Sequence, residues 1–105
     1  MLRIQIIPRG DKNIYHILRQ KIDNEARTFV WADNKKSRLR HVMPAHAGQL
    51  RIRDANGVLI AETYKGDQIV GAFIGRLAAW FPVEIAAINI QLFLNDAVRK
   101  KRRKK

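Results

Sequence analysis

Hydrophobic and polar positions change period several times along the chain, and each change marks an element. Over residues 66–81, Ile69, Val70, Phe73, Ile74, Leu77, Trp80 and Phe81 recur at the spacing of one helix face. Gln68, Gly71, Ala72, Arg76 and Ala79 fall on the other side, Asp67 has the chemistry of an N-cap, and Pro82 cannot continue a regular helix. This stripe is the anchor against which the other elements are placed.

At the start the period is two. Leu2, Ile4 and Ile6 alternate with Arg3, Gln5 and Ile7, the pattern of a half-buried strand, until Pro8, Arg9, Gly10 and Asp11 break it as a turn. Residues 12–23 return to helical spacing through Ile14, Ile17, Leu18 and Ile22, with Asp11 as the expected N-cap. Residues 28–32 are β-branched and aromatic and predict a strand with Phe29 and Trp31 on one side. A polar loop over 33–37 leads to a strand over 38–43, where Leu39, His41 and Met43 oppose Arg38, Arg40 and Val42, so the two strands predict a hairpin. After a turn at 44–48, Leu50 and Ile52 oppose Arg51 and Arg53. Asp54, Ala55, Asn56 and Gly57 then supply a second hairpin turn, with Gly57 in the left-handed position of a three-residue loop, and the partner strand runs over 58–64.

Residues 83–98 carry two patterns at once. As a helix they give a broad apolar face from Val83, Ala86, Ala87, Ile90, Phe93, Leu94, Ala97 and Val98; as a strand, Ile88, Ile90, Leu92 and Leu94 alternate with Asn89, Gln91, Phe93 and Asn95. Pro82 before the segment and basic residues at its end favour the helix. The strand alternative would join the sheet, with the 66–81 helix as its connection. Strands and helices in this mixed order predict an α+β fold: a two-layer sandwich, a mainly antiparallel sheet with helices on one face, in a single domain over 1–98.

Composition adds three limits. A chain of 105 residues can bury one core without staples. It contains no cysteine, which removes disulfide frameworks and thiolate metal sites. Its apolar runs are interrupted well short of the roughly 20 residues that a membrane-spanning helix needs, and the N-terminal run is brief and lacks a signal-cleavage pattern. The expectation is a soluble, cytoplasmic protein, with a nuclear address as the alternative in a eukaryotic cell.

Charge changes the picture most. The chain has 21 Lys and Arg against 9 Asp and Glu, a formal net charge of +12. Seven of those cations form the unbroken run Arg99, Lys100, Lys101, Arg102, Arg103, Lys104 and Lys105. Such a run has nothing apolar to bury and repels itself, so residues 99–105 are expected to be a disordered basic tail when unbound and to need a polyanion when bound. The remaining body is basic as well. Arg3, Arg38, Arg40, Arg51 and Arg53 each fall opposite the apolar residues of their own strands, so the alternation places five guanidinium groups on the open face of the sheet. A planar cation with five donors takes phosphate oxygens in bidentate fashion. Asp33, Asp54 and Glu62 are the acids available to neutralise some of them.

Other chemistry is sparse. No glycine-rich phosphate loop or nucleophile elbow is present, and Ser37 is the sole serine. His16, His41 and His46 match no zinc spacing, and His41 sits on the apolar side of its strand, where a boundary histidine belongs. Phe29 and Trp31 at strand spacing are better suited to the core than to base stacking. Arg9, Gly10 and Asp11 are read as a turn. Gly71 and Gly75, four apart, leave a groove on the anchor helix that suits close packing within the fold, with a homodimer seam as the alternative. No catalytic site, metal or cofactor is expected. The reading is a small non-enzymatic domain that binds nucleic acid electrostatically, through the tail residues named above supported by Arg38, Arg40, Arg51 and Arg53. The alternative is a structural or protein-interaction module that dimerises through the anchor helix or a sheet edge.

Overall fold

The segments of period two become strands of one sheet. In the computed structural model, which describes residues 1–64 and 68–93, these are β1 (Leu2–Pro8), β2 (Phe29–Trp31), β3 (Arg38–His41), β4 (Gln49–Ala55), β5 (Val58–Thr63) and β6 (Ile85–Leu92). Their order in space is β2-β3-β4-β5-β1-β6, and every neighbouring pair is antiparallel. Helix α1 (Ile14–Asn24) connects β1 to β2, and α2 (Ile69–Trp80) connects β5 to β6. Both helices pack on one face, where Ile14, Leu18, Ile22, Ile69, Phe73 and Leu77 share a core with Ile4, Ile6, Phe29, Leu39, Leu50, Ile52 and Leu59. This is the expected two-layer α+β sandwich, with its sheet wholly antiparallel.

The helix expected over residues 83–98 does not form; β6 occupies its centre. Leu2, Ile4 and Ile6 of β1 stand opposite Leu92, Ile90 and Ile88, so the alternating pattern prevails over the helical one. The reason is long-range. Without β6, one side of β1 would carry unpaired N–H and C=O groups along its length, and an eight-residue strand satisfies them. Residues 94–98 lie outside the described residues, as does the 99–105 segment expected to form a basic tail.

Local chemistry sets the other boundaries. Helix α1 begins at Ile14, later than expected, because Asn13 and not Asp11 is the N-cap: its Oδ1 accepts a 2.9 Å hydrogen bond from the His16 N–H. The stripe of α2 is observed from Ile69 to Trp80, while Asp67, its expected cap, is outside the described residues. The β4–β5 connection has two residues, not three. Asn56 and Gly57 both have positive φ, 54° and 92°, the signature of a tight hairpin turn, and the Asp54 carboxylate accepts from the Gly57 N–H at 3.1 Å. The groove at Gly71 and Gly75 does not pack within the fold as expected: a Cβ added at either would meet open space. Met43, expected beside Leu39 and His41, lies past the end of β3 and is exposed.

The hairpin β2–β3 is tied to α1 by Asp23, and its loop is held by Asp33. Asp23 accepts from the Trp31 Nε1–H at 3.1 Å and pairs with the Lys36 ammonium. Asp33 accepts from the backbone N–H groups of Ser37 and Arg38, at 2.9 and 3.0 Å, and from the Ser37 hydroxyl. The Lys36 hydrogen bond holds the Asp23 carboxyl below the usual carboxylate range, and the Ser37 hydroxyl does the same for Asp33.

Candidate nucleic-acid interface

Register places the arginines. Arg38 on β3 stands opposite Arg51 on β4, Arg51 opposite Glu62 on β5, Glu62 opposite Arg3 on β1, and Arg3 opposite Gln91 on β6. These five positions form one row across the sheet on the face away from the helices. Two residues along in either direction, Arg40 stands opposite Gln49, and Arg53 lies in the row of Ile60, Gln5 and Asn89. All five arginines therefore share the open face, as their alternation predicts, and Arg38, Arg40, Arg51 and Arg53 are exposed.

They are not electrostatically equivalent. Arg3 Nε donates to Glu62 Oε2 at 2.8 Å, and Arg53 Nε lies 3.7 Å from Glu62 Oε1. Of the three acids available as neutralisers, Glu62 alone serves arginine side chains in this way. Asp33 and Asp54 are occupied by loop and turn N–H groups, and the Asp33 carboxylate also lies in the field of the Arg38 charge without forming an ion pair with it. Among the described residues, Arg38, Arg40 and Arg51 form no side-chain ion pair. Arg38 and Arg51 are also direct cross-strand neighbours, and like charges so placed repel in the absence of an anion.

A recess of about 320 Å³ opens beside that pair, lined by Met1, Arg38, Gln49, Arg51, Glu62, Thr63 and Tyr64. Tyr64 is 74% exposed and presents a ring at this rim. The Arg3 guanidinium carbon lies 5.0 Å from the centroid of the Phe93 ring, a cation–π contact. Residue type alone does not single out Tyr64 or Phe93. Their signal is parity, since Tyr64 continues the alternation of Ile60 and Glu62, and Phe93 that of Asn89 and Gln91. Phe29 and Trp31 are elsewhere: Phe29 is wholly buried against Phe73 and Trp80, and Trp31 is bound to Asp23 beside α1.

His41 and His46 meet with ring centroids 4.5 Å apart, and His41 also packs edge-on against Phe29 at 4.9 Å. The Met43 N–H donates to His41 Nδ1 at 3.0 Å, which fixes that nitrogen as an acceptor. His16 is on the exposed side of α1. Among the described residues, no three His, Cys, Asp or Glu side chains converge where they could hold a metal ion. Burial lowers the His41 pKa from its ordinary 6.5, and the neighbouring His46 and Arg76 charges act in the same direction. The sign of its effect on stability follows. The unfolded chain takes up the proton first, so the stability present while His41 is neutral is lost as pH falls below about 6.5 toward the lower folded-state value. We expect the urea midpoint to drop between about pH 7 and pH 5 and His41→Gln to flatten that dependence. An equally steep drop in the variant would move the cause to other groups.

No helix among the described residues is long and apolar enough to cross a membrane. No family model, curated protein or solved structure matches the chain.

Proposed function

We propose that this protein binds nucleic acid through its phosphate backbone, using the open sheet face and the basic run over residues 99–105. The observation that carries the reading is the exposed trio Arg38, Arg40 and Arg51, which form no ion pair among the described residues while Glu62 is engaged by Arg3 and Arg53. Exposed guanidinium groups on a rigid sheet are pre-positioned for phosphate oxygens, and the seven adjacent cations of 99–105 supply long-range attraction to the same polyanion. Contacts of this kind set affinity and orientation and carry no base information, so the expected binding is tight at low salt and indifferent to sequence. The chemistry is non-enzymatic, resting on cations and neutral amides held on one sheet face.

The test is a salt series with labelled mixed-sequence DNA and RNA, single- and double-stranded. It uses the full chain, the chain truncated after Val98, and the full chain with Arg38, Arg40, Arg51 and Arg53 replaced by glutamine. For every duplex phosphate that the protein ceases to neutralise, the plot of log affinity against log salt should flatten by about 0.9. Both changes should therefore reduce the slope, and the arginine variant should keep its fold. Absence of binding by the full chain at low salt would sink the proposal. Binding that disappears on truncation and ignores the arginines would remove the sheet face from it.

A further inference from the structure

Among the described residues, the outer edge of β6 is open from Ile88 to Leu92, while at the start of the strand the Arg9 guanidinium donates to the carbonyls of Val83 and Ile85, at 2.9 and 3.4 Å. Ile85–Leu92 contains no charged residue and no proline, the devices by which an edge strand normally refuses a partner. The opposite edge is β2, only three residues long. The hydrogen-bonding direction along β6 is set at its end, where Met1 and Phe93 exchange bonds: Phe93 N–H to Met1 O at 2.8 Å and the Met1 amine to Phe93 O at 3.2 Å. An antiparallel ladder alternates, so Gln91 and Asn89 turn their N–H and C=O groups to β1, whereas Leu92, Ile90 and Ile88 turn theirs outward. The same residues stand opposite Leu2, Ile4 and Ile6, so their side chains lie on the helix side of the sheet. Neither helix covers them fully, and Ile90 and Leu92 are 54% and 62% exposed.

We infer that a second copy of this chain pairs with β6 along this edge, antiparallel and about a two-fold axis, to make one continuous sheet from the six strands of each copy. The occupant is chosen by self-complementarity. A two-fold antiparallel pair sets each strand against itself, which like charges anywhere in β6 would oppose, and there are none. In every such register residues of one face meet the same face of the partner, and with the axis at Ile90 the Ile88, Ile90 and Leu92 side chains of one copy lie beside those of the other and cover each other's exposed surface. The two Phe93 residues fall at opposite ends of the pair. An axis perpendicular to the sheet keeps both arginine faces on one side. That consequence adds to the binding proposal above, but the pairing stands without it.

The test uses the full chain at high salt, where phosphate contacts are suppressed and repulsion between basic bodies is screened. Sedimentation should show mass rising with concentration from the 12.2 kDa protomer toward double that value. Ile90→Lys should hold the mass at one protomer, with an unchanged circular-dichroism spectrum, while the uncharged Ile90→Thr should still self-associate. Amide exchange gives a readout that needs no variant: the outward N–H groups of Ile88, Ile90 and Leu92 should gain protection as concentration rises. A protomer mass at all concentrations overturns the inference. So does self-association that leaves those three amides exchanging as fast as in dilute solution, since the dimer seam would then lie elsewhere. Neither result bears on whether nucleic acid binds.

Discussion

Replacing Phe29 by alanine is expected to remove about 3–5 kcal/mol of folding stability, read as a fall in the urea midpoint at constant slope. Phe29 is wholly buried, and its ring meets Phe73, Trp80 and His41 at centroid distances of 6.1, 6.2 and 4.9 Å. It is therefore the point where α2 is clasped to the short β2–β3 hairpin. A strand of three residues has few ladder bonds of its own, so the cavity left by the ring loosens the hairpin as well as the helix. A domain of this size typically has about 5–15 kcal/mol in total. The contrasting substitution is Val83→Ala: that side chain is 70% exposed and should cost less than about 0.5 kcal/mol. Similar losses of stability at the two positions would contradict this packing.

Glu62→Gln is expected to change stability and binding in opposite directions. Its carboxylate, 16% exposed, anchors Arg3 at 2.8 Å and lies 3.7 Å from the more open Arg53. The amide keeps the shape but removes the charge, leaving the partly buried Arg3 guanidinium without its anion at a cost of about 1–3 kcal/mol. The Arg53 contact, half exposed, adds little. On the binding side, the face gains one net positive charge and two released guanidiniums. Affinity for nucleic acid should rise at low salt, and the salt slope should steepen by about one for each arginine that reaches a phosphate. Unchanged or weaker binding by a folded Glu62→Gln protein would mean that phosphates do not approach this row.

Much of this architecture is legible in the residue pattern because its strands keep strict alternation. Leu2, Ile4 and Ile6 against Arg3 and Gln5, and Leu50 and Ile52 against Arg51 and Arg53, settle both the strands and the face to which each side chain points. The helical stripe of Ile69, Phe73 and Leu77 is as clear. Residues 83–93 are not, because Ile88, Ile90 and Leu92 fit one period while Val83, Ala86 and Ile90 fit the other. What decides between them is the vacant side of β1, at the far end of the sequence. Glu62 illustrates the same limit. Its parity is readable, but its place between Arg51 and Arg3 depends on strand order, which no local pattern contains. Gly71 and Gly75 mark a third limit, since spacing identifies a smooth helix face without saying whether anything lies on it.

The position of β1 also sets the order of events during synthesis. It precedes every other strand in the chain, yet it sits between β5 and β6, paired through Arg3 with Glu62 and through Met1 with Phe93, 92 residues later. A ribosome must pass Phe93 before both sides of β1 can close, so one row of β1 backbone N–H and C=O groups stays unpaired until translation of the sheet is nearly complete. Local helices and the β4–β5 hairpin can form early, but the sheet is completed by its most distant partners, a topology that slows the final step. The newborn chain therefore spends longest with one side of β1 open to other molecules.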